Sequence, residues 1–215
     1  MKTVIITAFE PFNKDDENPT EHVIAELPDF LYDTRIIKVT LPVIYQAAFD
    51  QLLPYIEEYN PALILMLGLA AGRSHISIER VAINVNHSKT PDNLGNIKHH
   101  EVIDENGPDG LFTTLPLSDI MKRMHKHKLP VTISNSAGTY VCNDLMYNVL
   151  YYIKKLNLDT KAGFIHVPYL PHQAYNKSNM PMMERRYMVE TVTAIIDVLL
   201  NPIELDPKQF KHTQY

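Results

Sequence analysis

The sequence predicts an α/β fold, a mostly parallel sheet with helices on both faces, and three observations carry that prediction. Apolar, β-branched runs alternate along the chain with stretches of helical periodicity. The 215 residues and 45% hydrophobic content suit one core of ordinary size. No repeat, low-complexity tract or linker divides them, so residues 1–215 read as a single domain. One place breaks the rhythm. "PALILMLGLA" and "HISIERVAINVN" are strand-like runs joined only by the short "AGRS" link, which predicts a hairpin or β-extension and hence a mixed sheet.

Taken in order, the first β-branched run places a strand at Thr3–Phe9, and a helix follows at Thr20–Leu27. A strand at Thr34–Leu41 precedes a helix at Ile44–Tyr59, where Pro54 lacks an N–H and should kink or split the helix. Strands are expected at Ala62–Leu69 and Ile76–Asn86. The segment 87–116 is rich in Pro, Gly, Asn and Asp, a long excursion of the kind that is functional or mobile. Beyond it come a helix at Ser118–Lys128, a strand at Val131–Asn135, a helix at Asn143–Leu156 and a strand at Gly163–Pro168. The last helix, Met182–Leu200, carries Met188, Val192, Ile195, Ile196 and Leu199 at the spacing of one buried stripe. The tail from Asn201 to Tyr215 is expected to be peripheral.

Charge and cysteine usage narrow the function classes. Net charge is −5 with no dense basic block, which gives no reason to expect nucleic acid as a partner. The opening "MKTVIITAFE" lacks a signal peptide's features, and Ala62–Ala71 is about half the length of a membrane span. One cysteine forms no internal disulfide, so a cytoplasmic location is expected.

That cysteine, Cys142, stands in "SNSAGTYVCND" where an amphipathic helix begins. A thiol at a helix N-terminus meets free backbone N–H groups and the positive end of the dipole. Both favour a thiolate, and the same donors suit an oxyanion. The alternative is a buried structural cysteine. A nucleophilic thiol needs a base. Of ten histidines, His99 and His100 lie in the long loop, and His125 and His127 sit at a basic helix end. His166 ends the run "KAGFIHVP", at the carboxyl end of a strand where open α/β sheets bind ligands. Cys142 also follows a strand, so both side chains are expected at one sheet edge. The alternative for His166 is a ring satisfied by backbone, and His172 is the reserve. The third member is expected from "SHISIERVAINVN", where alternation puts Glu79 in line with Val81, Ile83 and Val85. It either orients the imidazole or pairs with Arg73 or Arg80.

Four separated segments, "TAFEPFNKDDENPT", "GLAAGRSHISIERVAINVN" with "PDNLGN", "SNSAGTYVCN" and "FIHVPYLP", together resemble the pyroglutamyl peptidases, a family of cysteine peptidases. The resemblance spans residues 3 to about 171. It implies a three-layer α/β/α sandwich around a mixed, twisted sheet, a homotetramer, and pyroglutamyl peptides as substrate, with no metal or organic cofactor. It also implies that Glu79, Cys142 and His166 form the catalytic triad, and that Phe9, Phe12, Tyr140 and Val141 line the substrate pocket. An uncharged lactam ring suits such walls. The chain departs from the family pattern at Lys89 and Thr90, in "SKTPDN" where "ARIPDN" is expected. Leu69 and Val43 likewise stand where glutamine and threonine are expected. Two other readings are a nucleoside phosphorylase-like enzyme, with Gly68, Gly72 and Arg73 cradling phosphate, and a non-catalytic small-molecule binding module.

Overall fold

The computed structural model describes residues 2–175 and 177–201, so nearly all of the expected tail lies outside the described residues. The first half of the chain runs β1 (Lys2–Phe9), α1 (Pro19–Glu26), β2 (Phe30–Leu31), β3 (Thr34–Leu41), α2 (Ala47–Tyr59), β4 (Leu63–Leu69), β5 (Ile76–Glu79) and β6 (Val81–Ile83). The second runs β7 (Gly110–Phe112), α3 (Leu117–Lys126), β8 (Val131–Ser134), α4 (Val141–Leu156), β9 (Lys161–Val167), α5 (Pro171–Ala174) and α6 (Arg185–Leu200).

Seven strands form one sheet in the order β2-β3-β1-β4-β9-β5-β8. Strands β3, β1, β4 and β9 are parallel, while β5 runs antiparallel to β9 and parallel to β8. The sheet is therefore mixed, as expected, but not through a hairpin: β9 inserts between β4 and β5. All seven residues of β4, LILMLGL, are buried, and such a strand is satisfied only with neighbours on both edges and helices on both faces. The run expected as one strand at Ile76–Asn86 is two. At Arg80 the backbone N–H bonds Ser134 of the main sheet, while the carbonyl accepts from Thr113, and the chain leaves to pair β6 with β7 in a separate ribbon.

Alternation along the central strands sorts the core into two layers. Val4, Ile6 and Ala8 of β1, Leu63, Leu65 and Leu67 of β4, and Ile165 and Val167 of β9 pack with α1, α3 and α6. Ile5, Ile64, Met66, Ala162 and Phe164 face the opposite way, against α2 and α4. In α6 the stripe Met188, Val192, Ile195 and Ile196 is wholly buried, and Leu199 packs at its margin. These are the three layers of an α/β/α sandwich.

Local rules account for the element ends. Asn18 caps α1 by accepting from the Thr20 N–H, with Pro19 at the first helical position. The Thr20 hydroxyl in turn accepts from the Phe9 N–H at 3.1 Å, fixing the exit of β1. Helix α2 is not split at Pro54: the proline ring is exposed, on the side of the helix where a carbonyl without its donor can tilt out toward solvent. The excursion 87–116 is held down by side chains as well as by the β6–β7 ribbon and the Asn86–Glu101 bridge. The Asn84 amide accepts from the Ile103 and Asp104 N–H groups, and Asp92 accepts from the Tyr45, Leu94 and Asn96 N–H groups.

Candidate active site

Strand parity brings the first two functional side chains together. His166 lies two residues after Phe164 on β9 and so points to the α4 layer. On β5, Ile76 and Ile78 join the other layer, which turns Ser77 and Glu79 toward α4 as well. Ser77 is the register partner of His166. Glu79 is diagonal to it, and its Oε1 lies 2.7 Å from His166 Nδ1. Glu79 is wholly buried and His166 is 5% exposed. The expected alignment of Glu79 with Val81, Ile83 and Val85 does not hold, since the strand breaks at Arg80; Glu79 is buried because both faces of β5 are covered.

Cys142 arrives by a different route from the one expected. Because β8 is antiparallel to β9, the carboxyl ends of the two strands lie on opposite edges. The connection 135–140 instead lays the start of α4 on the face of the sheet. Helix α4 begins at Val141, earlier than Asn143, so Cys142 sits inside the first turn. Asn143 and Asp144 turn their N–H groups back to the Tyr140 carbonyl, whereas those of Val141 and Cys142 have no acceptor within the helix. Polar clamps fix this turn. The Asn143 amide exchanges two hydrogen bonds of 2.9 Å with the Ile83 backbone, and Asp144 accepts from the Gln46 N–H and the Asn86 amide.

Gly68 shows where the sulfur lies. It is the register partner of His166 in β4. A Cβ placed on it would stand 3.1 Å from Cys142 Sγ and 2.8 Å from the Phe164 ring. Only a hydrogen fits there, so the absence of a side chain at position 68 admits the thiol over β4, at the register position next to His166. Cys142 remains half-buried as a residue.

The electrostatics oppose one sequence expectation. Burial of the sulfur, reinforced by the Glu79 charge, pushes the Cys142 thiol up to about 12, against smaller lowering contributions from Arg73 and its own backbone N–H. The helix terminus does not outweigh desolvation, and the thiol rests protonated. Burial also lowers His166, more than Glu79 raises it. Burial pushes Glu79 up, but the His166 hydrogen bond and charge, with Ser134 and Arg73, hold it below the ordinary carboxylate value. The centre holds a neutral thiol, a neutral imidazole and an ionised carboxylate.

Around it, Phe12 and Tyr140 are half-buried, with ring centroids 6.3 Å apart. Tyr45, missed in the sequence, meets Tyr140 edge-on at 5.5 Å, and the Tyr140 hydroxyl donates to the Pro91 carbonyl at 2.9 Å. Phe9 and Val141 are buried behind them, Phe9 against Phe164. His172 pairs with Glu17 on α5, away from the sulfur. His87 stacks with His100 and lies near His99, and His125 and His127 occupy the end of α3. Arg80 binds Asn135 and takes no part.

A family model described as pyroglutamyl peptidase matches residues 2–201. The chain belongs to the pyroglutamyl peptidase family. It is 42% identical over 197 residues to pyrrolidone-carboxylate peptidase 1 of Caldanaerobacter subterraneus subsp. tengcongensis, covering 92% of this chain and 97% of that protein. It is also 42% identical to the pyrrolidone-carboxylate peptidase of Thermococcus onnurineus, covering 92% and 96%. A mutant pyrrolidone carboxyl peptidase from Pyrococcus furiosus superposes with a TM-score of 0.89 at 37% identity, covering 94% of this chain and 99% of that one. Pyroglutamyl peptidase I from Bacillus amyloliquefaciens gives 0.86 at 33%, covering 90% and 92%.

Within this family framework, the residues of the phosphate-cradle reading do not converge. Gly68 is covered by Phe164 and Cys142, and Arg73 is engaged by Glu79. Of the departures from the family pattern, Leu69 and Val43 are buried apolar residues, while Lys89 and Thr90 are exposed. Among the described residues, no helix is long and apolar enough to cross a membrane.

Proposed function

We propose that this pyroglutamyl peptidase cleaves the amide bond after an N-terminal pyroglutamyl residue by the combined action of Cys142, His166 and Glu79. The observation that carries this reading is the buried Glu79–His166 hydrogen bond of 2.7 Å, lying beside the sulfur over Gly68. Cys142 Sγ attacks the carbonyl carbon as its proton passes to the free nitrogen of His166, and the carbonyl electron pair moves to oxygen. The unpaired N–H groups of the first turn of α4 face that oxygen's charge. Collapse breaks the C–N bond, and the imidazolium returns its proton to the leaving amine. Water, deprotonated by the same ring, then hydrolyses the thioester, releasing pyroglutamate and restoring the thiol. Glu79 holds the Nδ1–H tautomer and stabilises the transient imidazolium. Phe12 and Tyr140 are the aromatic walls that receive the lactam ring, with Phe9 and Val141 backing them. A lone thiol supports work in a reducing cytoplasm, and the resemblance supports a homotetramer acting on pyroglutamyl peptides.

Alkylation tests the assignment, since the protein has one thiol. Complete carbamidomethylation of Cys142 by iodoacetamide is expected to abolish release of a chromophore from a pyroglutamyl amide. With the thiol raised, the alkylation rate should climb steadily from pH 7 toward pH 11, without levelling near the ordinary value of about 8.5. Hydrolysis that survives full alkylation would refute the nucleophile. The pH sign follows from His166. Its folded value lies below the unfolded one, so the neutral base persists beneath pH 6.5 and the acid limb of kcat/KM lies on that side. The stability contributed by keeping the ring neutral is complete above about 6.5 and is lost as pH falls through the folded value.

A further inference from the structure

We propose that Arg73 is a positioning residue of this centre, one that locks the Glu79 carboxylate in place against His166; this rests on the roles given above to Glu79, His166 and Cys142. Arg73 Nη1 lies 2.6 Å from Glu79 Oε1, the same oxygen that takes His166 Nδ1 at 2.7 Å. One carboxylate oxygen thus receives both groups, while Glu79 Oε2 is buried with no hydrogen-bond partner. A single imidazole at one oxygen fixes the carboxylate's rotation about its terminal bond less tightly than two donors do. A second, charged donor at that oxygen restricts this rotation further and keeps the carboxylate ionised despite complete burial. In the sequence this ion pair is the alternative to a catalytic Glu79; in the structure both bonds exist at once.

The position of Arg73 suits that task. It follows the positive-φ turn at Gly72, and its backbone N–H bonds the Ala70 carbonyl, so the side chain leaves the β4 terminus toward β5. Its side chain is 33% exposed, facing a cleft of about 410 Å³ bounded by His75, Ser77, Thr132 and Ser134. The cation therefore approaches Glu79 from the solvent side while His166 approaches from within. The charge also bears on the reacting pair: it lowers both the His166 and the Cys142 values. Without it, the imidazole would hold its proton to higher pH and the thiol would give up its own less readily, and both changes oppose attack.

The test compares Arg73→Ala, Arg73→Lys and wild type in full kcat/KM profiles against pH. Arg73→Ala is expected to lower kcat by about 10- to 100-fold and to move the acid limb up by roughly one pH unit, the size of shift a neighbouring charge produces. Arg73→Lys keeps the charge without the planar donor, and should leave the acid limb near wild type while recovering only part of kcat. Guanidinium at tens of millimolar, a concentration well below denaturing, can enter the open cleft and should restore part of the Arg73→Ala rate, whereas urea should not. An unshifted acid limb in Arg73→Ala, with no guanidinium rescue, would overturn the inference and leave a structural ion pair. Failure of the underlying triad is read separately, from activity that survives alkylation of Cys142.

Discussion

Cys142→Ala is expected to lower kcat/KM for a pyroglutamyl amide by about a millionfold, the scale seen when a covalent nucleophile is removed. Catalysis that remains above the uncatalysed rate would come from the helix-terminal N–H groups and substrate binding, which do not need the sulfur. The fold should survive the change. Cys142 is half-buried as a residue with its sulfur over Gly68, and loss of the sulfur leaves a small void that costs roughly 1–2 kcal/mol. Thermal melting and circular dichroism beside the assay separate the two effects. An active, folded Cys142→Ala protein would place the nucleophile elsewhere.

The second large effect is expected at Glu79. Glu79→Gln preserves shape but removes the charge, and its amide N–H₂ can present a donor to His166 Nδ1. The ring must then carry its proton on the nitrogen that should accept the thiol proton. A loss of about three to four orders of magnitude in kcat follows, by the same reasoning that applies when a triad aspartate becomes asparagine. Arg73 also loses its charged partner, from 2.6 Å away. The melting temperature should fall, and the rate loss should persist at temperatures where the variant is fully folded. A loss below tenfold would reduce Glu79 to a structural ion pair.

Much of this centre was legible in the chain, for reasons that differ residue by residue. Cys142 stands out as the lone cysteine beside a helix start, and His166 because a β-branched run and a following proline mark a strand end. Glu79 is not in line with Val81, Ile83 and Val85 as its alternation suggests, yet it is buried and partnered. The break at Arg80 depends on Ser134 of β8 and Thr113, just past β7, capturing its N–H and carbonyl, and both partners are distant in sequence. The same limit hid the insertion of β9 between β4 and β5, since strand neighbours are chosen by the whole sheet rather than by the link between them. The start of α4 was placed late because Tyr140 caps it without a side-chain hydrogen bond, so no Ser, Thr, Asp or Asn marks the position. The thiol's raised pKa was not visible either: a helix terminus can be read from the sequence, but the desolvation that outweighs it depends on packing.

The fold sets the chemistry through this packing. Two parallel strands, β4 and β9, and the antiparallel β5 place Gly68, His166 and Glu79 side by side on the face covered by α4. Burial keeps thiol and imidazole neutral, and under the proposed mechanism the ionised Glu79 compensates the charge that forms on the ring.

Acid quenching in the first turnovers with a pyroglutamyl amide, followed by peptide mass spectrometry, tests the central claim most directly. The account predicts a peptide containing Cys142 heavier by one pyroglutamyl group, bound as a thioester that hydroxylamine removes. Continued turnover with residue 142 unmodified at every quench time, or the acyl group found on another side chain, would contradict it.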